Sequence, residues 1–177
     1  MEVQLISAAQ AGDADAFSEL VRLYSRRVYR LAYSFLHNVD DASDIVQEVF
    51  LRAYRSLARF DTNRAFYPWL HRITRNLCIN RRNLKANTEG TLPVDELLPA
   101  AGYDPLAATL RNEELDRLRL AVKHLPDMHR EIVVLKHFQE CSYAEIAEIL
   151  DIPIGTVMSR LYNARQKLKS LLIEAEV

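Results

Sequence analysis

Glycine and proline are scarce, with 4 and 6 in 177 residues, and no useful length of chain alternates apolar with polar residues. Without frequent turn residues or a period of two, β-sandwiches and barrels are excluded, and an all-α protein is expected. Cysteine is rarer still: Cys78 and Cys141 are the 2 present, both within helical patterns and neither with a Cys or His at zinc spacing. They read as reduced, half-buried thiols, and neither a disulfide framework nor a metal site is expected. The 5 histidines, at 37, 71, 124, 129 and 137, are scattered and suit surface or capping roles rather than metal ligation. No apolar run approaches the roughly 18–20 residues of a membrane span. The opening "MEVQLISAAQAGDADAF" is too polar and acidic for a signal peptide, so a cytoplasmic location is expected. Also missing are a Ser/His/Asp set, a paired-carboxylate site and a phosphate-cradling glycine loop. Neither an enzyme nor a cofactor is expected.

The net charge of −1 also rules out a global basic excess. Charge is instead local. Residues 1–85 carry 13 Lys and Arg against 9 Asp and Glu, residues 86–112 carry 1 against 4, and residues 113–177 carry 9 against 11. What matters is therefore which helix faces hold the cations. Half the glycines and half the prolines fall in "ANTEGTLPVDELLPAAGYDP", residues 86–105. This acidic stretch reads as a flexible tether between two small helical domains, with room for one helical turn at Val94 to Leu98.

In the first half, Asp13 can cap a helix with Phe17, Leu20, Val21, Tyr24, Val28, Leu31 and Phe35 on its apolar face. After "HNVDDAS", Asp40 or Asp41 starts a second, with Ala42, Val46, Val49, Ala53 and Leu57 inward. A third begins near Phe66, with Pro68 tolerated in its first turn, and a core face of Phe66, Leu70, Ile73, Leu77 and Leu84. The expectation is a three- or four-helix bundle. In the second half an amphipathic helix runs from about Asn112 to His124. The next turns Met128, Ile132 and Leu135 inward. Ser142 with Glu145 then forms a capping box for a short helix with Tyr143, Ile146, Ile149 and Leu150 apolar.

That short helix, a break at Asp151 to Gly155 and a longer basic helix make helix-turn-helix geometry. On the longer helix Val157, Leu161, Ala164 and Leu168 fall within about 60° and form a buried seam. Opposite stand Ser159, Tyr162, Asn163 and Gln166, polar but uncharged, bordered by Arg160 and Lys167 on one side and Arg165 and Lys169 on the other. A hydrogen-bonding centre with cationic borders suits bases and phosphates of a major groove.

The third helix of the first half presents Arg72, Arg75 and Arg82 within about 80°, away from its core face, with His71 beside them and Asn76 between stripe and seam. With Tyr67 and Trp69 near its start, this suits single-stranded or opening DNA. A solvated arginine face over a core tryptophan fits that segment as well. The second helix is acidic outside, with Asp41, Asp44 and Glu48 near Gln47 and Leu51, ahead of Arg52 and Arg55. The helix dipole favours acids at a helix start. An outward Leu51 points instead to a protein partner.

"DDASDIVQEVFLRAYRSLARFD", "AFYPWLHRITRNLCINRR" and "LPDMHREIVVLKHFQECSYAEIAEILDIPIGTVMSRLYNARQKL" follow one another in this order. Together they resemble an extracytoplasmic-function (ECF) sigma factor of bacterial RNA polymerase, of the sigma-70 family. The resemblance implies a sigma-2 type helix bundle over 1–85, a linker over 86–111 and a sigma-4 type helix-turn-helix domain over 112–177. It implies core RNA polymerase, promoter DNA and an anti-sigma factor as partners. The polymerase contacts would be the clamp helices of the largest subunit and the flap. Docking on the clamp helices falls to Asp44, Gln47, Glu48, Leu51 and Arg52, with Asp41 part of a cap. Melting and holding of the −10 element falls to Arg64, Tyr67, Trp69, Arg72, Arg75, Asn76 and Arg82, with "FDTNRAFY" shaping a pocket for a flipped base. Reading of the −35 element falls to Thr156, Ser159, Arg160, Tyr162, Asn163, Gln166 and Lys167. Relatives commonly carry "GTV(K/R)SR" and a further basic residue three places on, where this chain has Met158 and Asn163. The −35 assignment is accordingly a surface rather than a set of base pairings. The rival reading is a conventional helix-turn-helix regulator binding duplex operator DNA.

Asparagine can bond adenine through two atoms, which arginine does not. Asn163→Ala is therefore expected to weaken binding unequally across −35 variants in a duplex titration. An equal loss on every variant would remove base reading from Asn163.

Overall fold

A computed structural model describes residues 2–88 and 117–174, and every regular element among them is helical. The chain divides into two compact units, Met1–Asp95 and Glu96–Val177.

The first unit opens with a helix that the hydrophobic pattern did not reveal. Helix α1 (Glu2–Gln10) buries only Ile6 and Ala9, too few positions to show a period. Gly12, at φ 98°, reverses the chain, a conformation that costs glycine little. Asp13 then caps α2 (Ala14–Leu36) as expected, accepting from the Asp15 and Ala16 amides at 2.9 and 3.1 Å. Helix α3 (Val39–Ser56) starts earlier than expected. Its cap is Asn38, which accepts from the Asp41 amide at 2.8 Å, in place of Asp40 or Asp41. A 3-10 turn (Leu57–Arg59) and a loop lead to α4 (Phe66–Thr88).

Helices α2, α3 and α4 pack pairwise, and α1 lies against α2 and the 3-10 turn. Leu20, Leu31, Ile45, Leu57, Phe66 and Leu70 are fully buried between them. Two expectations for α4 are corrected. Leu84 is 66% exposed, whereas His71 and Thr74 are buried. Past Cys78 the helix meets α3 through Arg81 and Lys85 instead of apolar groups, so the apolar period stops governing its orientation. Residues 86–88 continue α4. The rest of the expected linker, its possible turn at Val94 to Leu98, and the start of the helix expected from Asn112 lie outside the described residues.

In the second unit α5 (117–123) leads to α6 (Asp127–Val133), which widens into a π turn at Val134–Phe138. Helices α7 (Tyr143–Leu150) and α8 (Ile154–Glu174) follow. Leu125, Ile132, Leu135, Ile146, Val157 and Leu161 form the core. Met128, expected inward, is 49% exposed. The space beside the α5–α6 turn is taken by Leu125 and by Arg130, both buried. The Arg130 guanidinium donates to the carbonyls of Val122, Lys123 and Leu125 at 3.2, 2.9 and 2.6 Å, and lies 3.5 Å from the Asp127 carboxylate. It thus neutralises the negative end of α5 and ties it to α6.

Arg130→Met would keep most of the stem and leave those carbonyls without their donor, a loss of about 3 kcal/mol. Hydrogen exchange at the Ile132 and Ile146 amides is expected to accelerate on the order of a hundredfold relative to the parent chain.

Candidate nucleic-acid and partner interfaces

Helix α3 brings Asp44, Gln47, Leu51 and Arg52 to the surface, with Glu48 half-buried beside them. Arg52 donates to Glu48 at 2.7 Å one turn back, which fixes both side chains across the face. Asp41 does not belong to this surface. Its side chain is 10% exposed, and its two carboxylate oxygens are held by Arg81 at 3.2 Å and by Lys85. Arg81 also reaches Asp44 at 3.5 Å, so one cation of α4 spans both acids of α3. Tyr54, which spacing alone did not single out, joins this face. It is 52% exposed, seven residues from Gln47 and three from Leu51, and so continues their stripe. Its ring meets Phe17 edge-on at 5.0 Å. An apolar and aromatic ridge with acids along one edge suits a protein partner.

Helix α4 presents Arg72, Arg75, Asn76 and Arg82 to solvent, so these side chains share one exposed surface. Two expected neighbours sit deeper. His71, placed beside the stripe by the sequence, is 2% exposed. Tyr67 is buried under Arg27 of α2, whose guanidinium carbon is 3.6 Å from the ring centroid. Tyr24 stacks on the same ring at 5.9 Å. Arg27 therefore brings an α2 cation onto Tyr67 of α4, and only the packing of α2 against α4 could reveal it.

Trp69 is half-buried, 4.8 Å from the Phe60 ring and 5.4 Å from Phe66. The loop between Phe60 and Phe66 is folded by Asp61, which accepts from the Asn63 backbone and side chain at 3.0 and 2.9 Å. Those bonds, the backbone one foremost, hold the Asp61 carboxyl below its usual range. Arg64 stands exposed, 3.8 Å from that carboxylate. An aromatic cluster behind a turned loop, with a row of guanidinium groups leading away, can stack a base and hold the following phosphates.

In the second unit the expected capping box is present. Ser142 accepts from the Glu145 amide at 3.2 Å, and Glu145 accepts from the Ser142 amide at 2.7 Å. Asp151, left-handed at φ 53°, ends α7, and the Ile152 amide bonds the Ala147 carbonyl at 3.0 Å. Of the expected seam, Val157, Leu161 and Ala164 are buried, whereas Leu168 is half-buried. Ser159, Tyr162, Asn163, Gln166 and Lys167 are exposed, with Thr156 and Arg160 half-buried at one edge. The Ser159 hydroxyl donates to the Thr156 carbonyl at 3.1 Å. At Gly155 an added Cβ would meet no atom within 4 Å. His137 lies in the π turn ahead of α7. Partial burial first, then Arg165 and Lys136, hold its pKa down. Among the described residues no group of three His, Cys, Asp or Glu side chains could hold a metal ion, and no helix is long and apolar enough to cross a membrane.

Comparison with known proteins gives the same division. Residues 20–87 match sigma-70 region 2, and residues 115–168 match sigma-70 region 4. The ECF RNA polymerase sigma factor SigW of Bacillus subtilis is 39% identical, the match covering 94% of each chain. The RNA polymerase sigma-H factor of Pseudomonas aeruginosa is 34% identical over 96% of this chain and 92% of its own. Among solved structures, CnrH in complex with the cytosolic domain of CnrY aligns with a TM-score of 0.74 and 26% identity, over 98% of this chain and 97% of that one. The sigma factor RpoE of Bartonella quintana, in complex with the anti-sigma factor NepR, aligns with a TM-score of 0.71 and 25% identity, over 88% and 96%.

His71, between these surfaces and the core, makes the first unit sensitive to acid. Burial above all, then the charges of Arg75 and Arg27, lowers its pKa from 6.5 to about 3. The unfolded chain takes up this proton near pH 6.5, and the folded one only near pH 3. Stability is therefore full above pH 6.5 and falls below it by up to about 1.4 kcal/mol per pH unit. Between pH 7 and 5 the parent chain is expected to lose about 2 kcal/mol more than His71→Phe. Urea unfolding followed by the emission of Trp69 measures this.

Proposed function

Because the chain belongs to the ECF group of the sigma-70 family, we propose that it directs initiation through three separate faces on one subunit. It is a sigma factor, an RNA polymerase subunit that confers promoter specificity and catalyses nothing itself. The observation that carries the assignment of faces is the first unit, where an acidic and apolar surface on α3 adjoins a cationic and aromatic one on α4.

Asp44, Gln47, Glu48, Leu51 and Arg52, extended by Tyr54, dock on core RNA polymerase at the clamp helices of its largest subunit. Net acidity and an exposed leucine suit that partner and repel DNA. The second face takes the −10 element. Unpairing a base costs a few kcal/mol, and stacking returns about 1–3 kcal/mol per base, so capture on an aromatic platform can hold opened strands. Trp69 and the 60–65 loop form the platform, with Tyr67 as its buried support. Asn76 bonds the flipped base, while Arg64, Arg72, Arg75 and Arg82 hold phosphates. The third face is α8, which lays Thr156, Ser159, Arg160, Tyr162, Asn163, Gln166 and Lys167 in the major groove of the −35 element, its unit docking on the polymerase flap. Carried on separate domains of one chain, 1–85 and 112–177, both faces can engage at once.

An anti-sigma factor regulates the chain by covering the docking face and the helix-turn-helix. Its support is the likeness to RpoE, which was solved with one. The cytoplasm is where such a chain meets polymerase. The operator-binding alternative is not favoured, because it gives no role to a region 2 unit.

Transcription reconstituted from core polymerase lacking other sigma factors, with this chain added, is expected to start at discrete promoters. Leu51→Asp should lower affinity for core about tenfold or more while leaving duplex binding by the second unit unchanged. Promoter-independent initiation, or full assembly of Leu51→Asp, would overturn the assignment.

A further inference from the structure

Helix α1 has no part in any of these faces, yet its last residue reaches one of them. The Gln10 amide nitrogen donates to two backbone carbonyls of the segment after α3, at 2.9 Å to Leu57 and 2.8 Å to Phe60. Both protons of one carboxamide are thus spent on carbonyls three residues apart. The first belongs to the 3-10 turn Leu57–Arg59, and the second to the residue from which the 61–65 loop departs. Leu57 O also accepts from the Phe60 amide at 2.9 Å. Beyond Phe60 the loop is shaped by its own Asp61–Asn63 bonds, which set its internal form without fixing where it starts. The Phe60 ring, 4.8 Å from Trp69, sits on the same short lever.

The other end of the lever is firm. Ile6 and Ala9 bury α1, and burial, then a hydrogen bond that the Tyr24 hydroxyl of α2 donates to the Glu2 carboxylate, raises the Tyr24 pKa. An anchored helix therefore offers a two-pronged donor to the root of a loop. We infer that Gln10 is a positioning residue for promoter opening: it fixes the angle at which the 61–65 loop and Phe60 face Trp69, and so sets which flipped base the platform accepts. This rests on the −10 role proposed for that loop. It assigns α1 a part in base selectivity rather than only in folding.

The test uses reconstituted holoenzyme and templates randomised across the −10 segment, with enrichment of each base among transcripts as the readout. Gln10→Met keeps the length of the side chain and removes both donors. Its holoenzyme is expected to assemble with core as the parent does and to show a bias at the captured position flattened about tenfold, the worth of one to two hydrogen bonds. Bias at the −35 element should be unchanged. Acrylamide quenching of Trp69, the 1 tryptophan of the chain, should rise in the free variant at a temperature where circular dichroism shows it fully folded, its melting temperature being lower by a few degrees. Parent-like bias in Gln10→Met would overturn the inference. So would a uniform fall in transcription with bias intact, or failure of the variant to assemble, because either marks a role in folding alone. If the parent holoenzyme itself showed no bias, the proposed −10 face would fail instead.

Discussion

The buried carboxylate of Asp41 holds the first unit's two working helices in register. A carboxylate removed from water is costly unless its charge is matched and its oxygens are bonded. Here Arg81 and Lys85 supply both. Because those cations lie one turn apart on α4 and their partner lies at the start of α3, the contact fixes rotation as well as distance. Arg81, reaching on to Asp44, extends the lock to the edge of the acidic face. The faces proposed for docking and for DNA, on neighbouring helices, are therefore tied to each other by these ion pairs. Force on one is transmitted to the other without a hinge.

The second unit reaches rigidity by a different route. It is small, and its apolar core is correspondingly short of area. Polar groups that terminate helices do much of the remaining work. Arg130 closes α5, the Ser142–Glu145 box opens α7, and left-handed Asp151 ends it. Each satisfies backbone groups that would otherwise be left to water, and each lies at a joint between elements. The angle of α8 is thus set by hydrogen bonds at turns, with the seam of Val157, Leu161 and Ala164 seated beneath.

Periodicity made the bundle and the helix-turn-helix legible, because long amphipathic helices repeat their pattern several times. Asp13 and Ser142 were legible because a cap is a local event between residues close in sequence. The misses share a cause. Helix α1 is too short to repeat. Asn38 took the cap expected of Asp40 or Asp41 because only backbone geometry chooses among side chains so close in sequence. Asp41 and His71 seemed to face outward because burial of a polar residue depends on partners forty or more positions away, such as Arg81, or on another helix, such as α2 with Arg27. Of the candidate sites, the exposed cations and the α8 surface could be read from spacing. Tyr54, Arg27 and Gln10 needed the packing.

Gly155 opens α8 with empty space where a methyl group would go. Alanine is a better helix former than glycine by up to about 1 kcal/mol in a helix interior. A screen that ranks variants by heat resistance alone would have no reason to spare this position. It would fill the gap at the very end of the helix assigned to the groove, and the gain on a melting curve would carry no warning of what the new carbon would meet there.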